Sequence, residues 1–217
     1  MLDKGEVSWL RVCLVCAPFA ISCAGGDAAD LTTVQENAAE LARSDSASRA
    51  STVLRDAEGT TVGRVTFKSH GDATLVTISA RLSDDQEGIH GIHIHANDVA
   101  DNGEGCIADP AQPANTHFVS VDGHYNPTGA THGQHQGDMP ALFFTEDGAA
   151  WMQFSTDRFQ PDELRGRAVI LHASSDNYGN VPVGDADDQY TPNSAAATDA
   201  TAKTGNAGAR IACGVID

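Results

Sequence analysis

The chain is poor in positive charge. It carries 13 Lys and Arg against 30 Asp and Glu, a net charge of −17 over 217 residues. Nucleic acid and anionic membrane surfaces are thereby excluded as partners, since both would be repelled. The surplus fits a protein kept soluble in an exposed compartment. Long hydrophobic runs are missing too. The apolar stretch "VCLVCAPFAIS" at 12–22 is too short to span a bilayer as a helix. Internal repeats and sustained helical periodicity are absent, which leaves an all-β domain, a sandwich or closed barrel.

That apolar run, preceded by Lys4 and Arg11, reads as a targeting segment. It ends in "AISCAGGD" and resembles a bacterial lipoprotein signal, with Ala20 where leucine is usual. Residues 1–22 would then be removed and a lipid would join Cys23. A plain secretory signal and an uncleaved cytosolic N-terminus are the alternatives. Residues 23–50, rich in Ala, Ser, Asp and Glu, read as a flexible tether, and 51–217 as the folded domain. Of five cysteines, Cys13, Cys16 and Cys23 belong to the signal or its end. Cys106 and Cys213 remain, and an even pair in an exported protein reads as one disulfide.

Two hairpins are legible. Residues 61–82 alternate on both sides of a Ser69–Asp72 turn, with Val76, Ile78, Ala80 and Leu82 toward the core. Residues 140–156 do the same around Asp147-Gly148, and "GRAVILHAS" (166–174) reads as a further strand. Between them, 97–139 and 174–209 are Gly-, Pro- and Asp-rich stretches too long for simple turns.

Histidines border or fill both stretches. Three of the nine fall in "GIHGIHIH": His90, His93 and His95. In a strand, His93 and His95 share a face, so they form either half of a metal site or a polar edge. "DGHYNPTGATHGQHQGDMP" adds His124, His132, His135 and Asp138, enough donors for a tetrahedral zinc site or simply a solvated loop. His172 closes the run "AVILH", as a ligand or a capped core residue.

Taken in order, "GIHGIHIH", "GHYNP", "HQGDMP", "ILHASSDN" and "KTGNAGARIACGVID" resemble copper/zinc superoxide dismutase, in particular its exported bacterial form, over roughly residues 52–217. The resemblance implies an eight-stranded Greek-key β-barrel with two long functional loops. It implies copper ligands His93, His95, His124 and His172, and zinc ligands His124, His132, His135 and Asp138, with His124 shared. It further implies Asp176 as a carboxylate hydrogen-bonded to a ligand of each metal, a Cys106–Cys213 disulfide, His90 as a structural brace, and His124 and Arg210 as catalytic groups. The implied activity is dismutation of superoxide to dioxygen and hydrogen peroxide by a redox-cycling copper beside a structural zinc. Arg210 and Lys203 are candidates to attract the anion against the acidic net charge.

Three departures bear on this expectation. Only Gly133 and Gln134 separate His132 from His135, a shorter loop than the family usually has. The segment 107–123, with His117, is longer than in the common eukaryotic form. The stretch 174–209 is long and acidic, with Tyr178 and Tyr190 to pack it down. Rival functions on the same fold are copper binding or buffering and copper delivery to partners. The expected location is periplasmic or cell-envelope, with membrane contact through a lipid anchor only. A homodimer is compatible with this, though the sequence marks no surface for it.

Overall fold

The computed structural model describes residues 49–83, 86–179 and 195–217, all within one unit, Glu40–Asp217. The signal, Cys23, the tether to residue 48, the acidic run 184–189 and Tyr190 lie outside the described residues. Arg49 and Ala50, expected in the tether, instead open the first strand: Ala50 is buried and Arg49 faces Lys68 across the sheet. Among the described residues no helix is long and apolar enough to cross a membrane.

Strands β1 (Arg49–Arg55), β2 (Thr61–His70) and β3 (Ala73–Arg81) form an antiparallel meander. Alternation decides its inner face: Leu54, Val65, Phe67, Val76 and Ile78 are fully buried. Strand β7 (Ala149–Thr156) pairs with the free edge of β3, and β6 (Leu142–Phe144) enters β7 through the Asp147-Gly148 turn. Both hairpins stand where the alternation puts them, with Ala80 buried and Leu82 packed at the edge of the same core.

Around the other side, β1 pairs with β9 (Arg210–Val215), β9 with β8 (Ala168–His172), and β8 with β5 (Ile92–His95). Strand β4 (Gly88–His90) runs into β5 through Gly91 and pairs with β6. The nine segments are eight strands when β4 and β5 count as one, arranged as an antiparallel Greek-key barrel. All four residues of β5 are buried. Ile92 and Ile94 join the barrel core, so His93 and His95 point to the opposite face, outside the barrel, where the long loops cover them.

The first long loop runs along the edge of β5. Ile94 N–H donates to Gly137 O, Tyr125 N–H to Ile94 O, and Ala96 N–H to Gly123 O, each at 2.8–2.9 Å. A side chain at Gly137 would overlap the Ile94 carbonyl, so only glycine permits this approach. Within the extra segment 107–123, Phe118 is buried in a second cluster with Val121, Ala168, Ile170 and Cys213. The Cys106–Cys213 disulfide, with Cα atoms 5.6 Å apart, ties this loop to β9.

The sequence predicts no helix over 174–209; the structure places one, α1 (Ala195–Thr204), there. "AAATDATAKT" has no apolar stripe to announce it. Alanine's intrinsic propensity sustains it, and the buried Thr201 docks it by accepting from Asn177 Nδ2 at 3.1 Å.

Candidate metal centre

His93, His95, His124 and His172 are buried and each offers one ring nitrogen, all within 4.8 Å of one another. In every ring one nitrogen is fixed by the protein. His93 Nε2 donates to Asp176 Oδ2 at 2.6 Å, His95 Nδ1 to Asp122 O at 2.8 Å, and His172 Nδ1 to Gly208 O at 3.2 Å. His124 Nδ1 lies 2.9 Å from Asp138 Oδ1. The remaining nitrogens, His93 Nδ1, His95 Nε2, His124 Nε2 and His172 Nε2, are buried with no hydrogen-bond partner among the described residues. Buried polar atoms are ordinarily satisfied. Four converging orphans with their opposite nitrogens tied down are the signature of metal ligands with fixed tautomers.

A second set adjoins the first. His124 Nδ1, His132 Nδ1 and His135 Nδ1 lie 2.9, 3.3 and 3.3 Å from Asp138 Oδ1, and His135 Nδ1 lies 3.3 Å from His124 Nδ1. A tetrahedron with arms of about 2.0–2.1 Å has edges of about 3.3 Å, the spacing of a closed zinc site. The short His132–His135 spacing therefore does not keep the donors apart. Amides of Gly133 (2.7 Å) and His135 (3.0 Å) donate to Asp138 Oδ2, leaving Oδ1 to face the rings.

Asp176 brackets both sets: Oδ2 accepts from His93 and Oδ1 accepts from His132 Nε2 at 2.7 Å. The end of α1 closes behind it at Gly205, where any side chain would overlap Asp176 Oδ1 and His132 Nε2. Burial pushes His95 and His172 well below the usual imidazole range and His124 down to about 3. Burial likewise lowers His135. At His132 burial opposes the charge, but the carboxylates of Asp138 and Asp176 prevail and raise it to about 9. Burial would raise Asp138 and Asp176 as well. The His124 and His132 rings beside the first, and hydrogen bonds from His132 and His93 to the second, hold both below the carboxylate range. His95, His124 and His172 are thus neutral near pH 7, the form in which imidazole ligates.

Arg210 faces His172 across the β8–β9 ladder. Its Nη1 donates to Phe118 O at 2.5 Å and its Nη2 to Asp122 O at 2.6 Å. Its charge helps to depress His95 and His172, so the arginine is both tied to backbone carbonyls and electrically coupled to the histidine set. Lys203 is instead paired with Asp199 at 2.9 Å, both exposed on α1, and reads as a solvated side chain. Among the described residues, His117 Nε2 meets only the carbonyls of Asp109 and Gln112 and joins neither set. His90 Nδ1 donates to His172 O at 2.7 Å and its ring stands edge-on to Phe144, bracing the end of β8. Tyr178 packs its loop down, its hydroxyl accepting from Ala141 N–H at 2.7 Å.

Sequence reasoning missed Asp122. Its carbonyl receives both His95 and Arg210, while its carboxylate accepts from the amides of Asp98 and Val99 and from Asn102 Nδ2. The turn-forming pair Asp122-Gly123 was the one available signal.

A β-barrel carrying two donor sets that share one imidazole defines a two-metal protein. The family model for copper/zinc superoxide dismutase matches residues 61–216. The chain is 33% identical over 171 residues to a Cu-Zn superoxide dismutase of Mycolicibacterium paratuberculosis, covering 76% of this chain and 72% of that one. It is 31% identical over 166 residues to the Cu-Zn superoxide dismutase of Onchocerca volvulus, covering 72% and 89%. The solved structure of the clock protein EA4 superposes with a TM-score of 0.56 at 28% identity, covering 78% of this chain and 93% of that one. The chain belongs to the copper/zinc superoxide dismutase family.

Proposed function

We propose that the protein dismutates superoxide, holding copper at His93, His95, His124 and His172 and zinc at His124, His132, His135 and Asp138. The observation that carries this reading is His124, whose Nε2 faces one donor set and whose Nδ1 faces the other. Copper, when bound, supplies the one-electron chemistry that converts two superoxide anions and two protons into dioxygen and hydrogen peroxide. His124 Nε2 is the atom able to hold a proton beside the reacting anion when it is not ligating. The zinc set keeps that ring in place through Nδ1. Arg210 offers a positive charge to a small anion, and its two anchoring carbonyls fix the orientation of its guanidinium. Copper and zinc content, measured with activity on one purified sample, tests this. About one of each metal with turnover is expected; a fully metallated, inactive wild type would transfer the case to copper buffering or delivery.

The protein is exported, anchored at the cell envelope through a lipid on Cys23. The "AISCAGGD" sequence supports this, and stable attachment needs two or more acyl chains. Fractionation of wild type and Cys23→Ala tests it: the variant should leave the membrane fraction. A homodimer would use the outer face of β4, β6 and β7. There Ile89 and Phe143, direct cross-strand partners, and Trp151 are all more than half exposed, and apolar groups of this kind mark contact surfaces. Sedimentation should show a dimer that Phe143→Glu dissociates.

A further inference from the structure

Three of the four zinc donors come from the single stretch 132–138, with two residues between successive ligands. So tight a run has no regular element to satisfy its peptide groups, yet buried backbone groups need partners. From inside, Asp138 Oδ2 accepts the amides of Gly133 and His135. From outside, a side chain that the sequence does not signal takes the carbonyls. Arg158 Nη2 donates to Gly133 O at 2.9 Å, and Nη1 donates to His135 O at 2.9 Å and more distantly to Asp138 O at 3.4 Å.

Arg158 is itself held. It stands in the β7–β8 connection next to Phe159, which is buried in the barrel core. Its amide donates to Thr156 Oγ1, and its carbonyl accepts from Gln136 Nε2 in the ligand stretch. We propose that Arg158 is a positioning residue for zinc: its planar fork gathers the carbonyls of Gly133 and His135 and so holds 132–138 in the turn that makes three donors converge. The inference rests on reading His124, His132, His135 and Asp138 as the zinc set. Its sign separates it from plain electrostatics. A guanidinium near a divalent cation repels it, so an arginine acting only as a charge would weaken zinc binding, and its removal would tighten it. An arginine acting as a clamp gives the opposite result.

The test uses the full chain as wild type, Arg158→Ala and Arg158→Lys. Zinc affinity is measured by chelator competition, the ligand field by the absorption of Co²⁺ at the site, and copper affinity and the urea midpoint of the metal-free protein alongside. Arg158→Ala should bind zinc about 10–100-fold more weakly, the usual cost of losing a group that orients ligands, with an altered Co²⁺ spectrum. Arg158→Lys keeps the charge but cannot span both carbonyls, and should fall between the two; it carries the test alone should the alanine variant not fold. Unchanged or tighter zinc binding in Arg158→Ala would overturn the proposal. So would equal losses of zinc and copper that track the metal-free urea midpoint, a general destabilisation. A wild type that takes up copper but neither zinc nor Co²⁺ at this set would remove the zinc reading itself, a result distinct from both.

Discussion

Asp176 shows how one side chain commits two others. Both of its oxygens accept from Nε2 groups, of His93 and of His132, which fixes the tautomer that leaves each Nδ1 free for metal. Asp176→Ala strands two buried N–H groups and lets both rings turn. We expect about 10–100-fold weaker binding at both sets, a range typical of such partners. Asp176→Asn, keeping one accepting oxygen, should lose less. Chelator titrations that find both metals bound as in wild type would refute the bracket. At this scale the sequence is unevenly legible. His93 and His95 stand out because strand alternation puts both rings on one face. His124, His132, His135 and Asp138 read locally as either a zinc site or a solvated loop, and only the family resemblance chooses between the two and adds Asp176, since nothing local makes scattered loop residues converge. Asp122 and Gly208 act through their own main-chain carbonyls and Arg158 acts on those of Gly133 and His135, so residue type carries little of their role.

At the scale of elements, the two hairpins follow from alternation, whereas α1 has no apolar face to give a period. The short β4–β5 break likewise escapes a pattern reading, because what changes at Gly91 is the partner: β4 pairs with β6 and β5 with β8. The covalent tie is the element on which the rest of the site leans. Cys106 and Cys213 are 107 residues apart in sequence, and the chain-entropy model gives about 5 kcal/mol for such a closure, an upper figure. The same bond holds the Phe118 loop against β9, where the carbonyls of Phe118 and Asp122 orient Arg210. Replacing both cysteines by serine should therefore cost several kcal/mol of stability, within that ~5 kcal/mol bound, in urea denaturation. It should also lower activity more than metal content. A double variant as stable as wild type, with unchanged turnover at full metal loading, would show that the loop is held without the disulfide.

At the scale of the whole molecule, a net charge of −17 opposes the capture of an anion. The formal charge is plain in the sequence, but its distribution around the site is not. The structure places Arg210 beside the four-histidine set and pairs Lys203 with Asp199. We expect attraction at short range to rest on Arg210 and repulsion to come from the wider surface. Both are screened over about 10 Å at 0.1 M salt, and they respond with opposite sign. In wild type, salt weakens the attraction nearest the reacting anion, so turnover should fall as ionic strength rises from low values. In Arg210→Ile that attraction is lost, and turnover should rise with salt as repulsion from the acidic surface is screened. The variant should also be at least about tenfold slower at low salt, roughly 1.4 kcal/mol in the barrier. Arg210→Lys, which keeps the charge but not the fork, should retain the wild-type sign with lower activity. Steady-state rates across a salt series, on samples with matched copper and zinc content, decide the matter. Parallel salt responses in wild type and the isoleucine variant would mean that Arg210 only anchors the loop carbonyls and takes no part in capture.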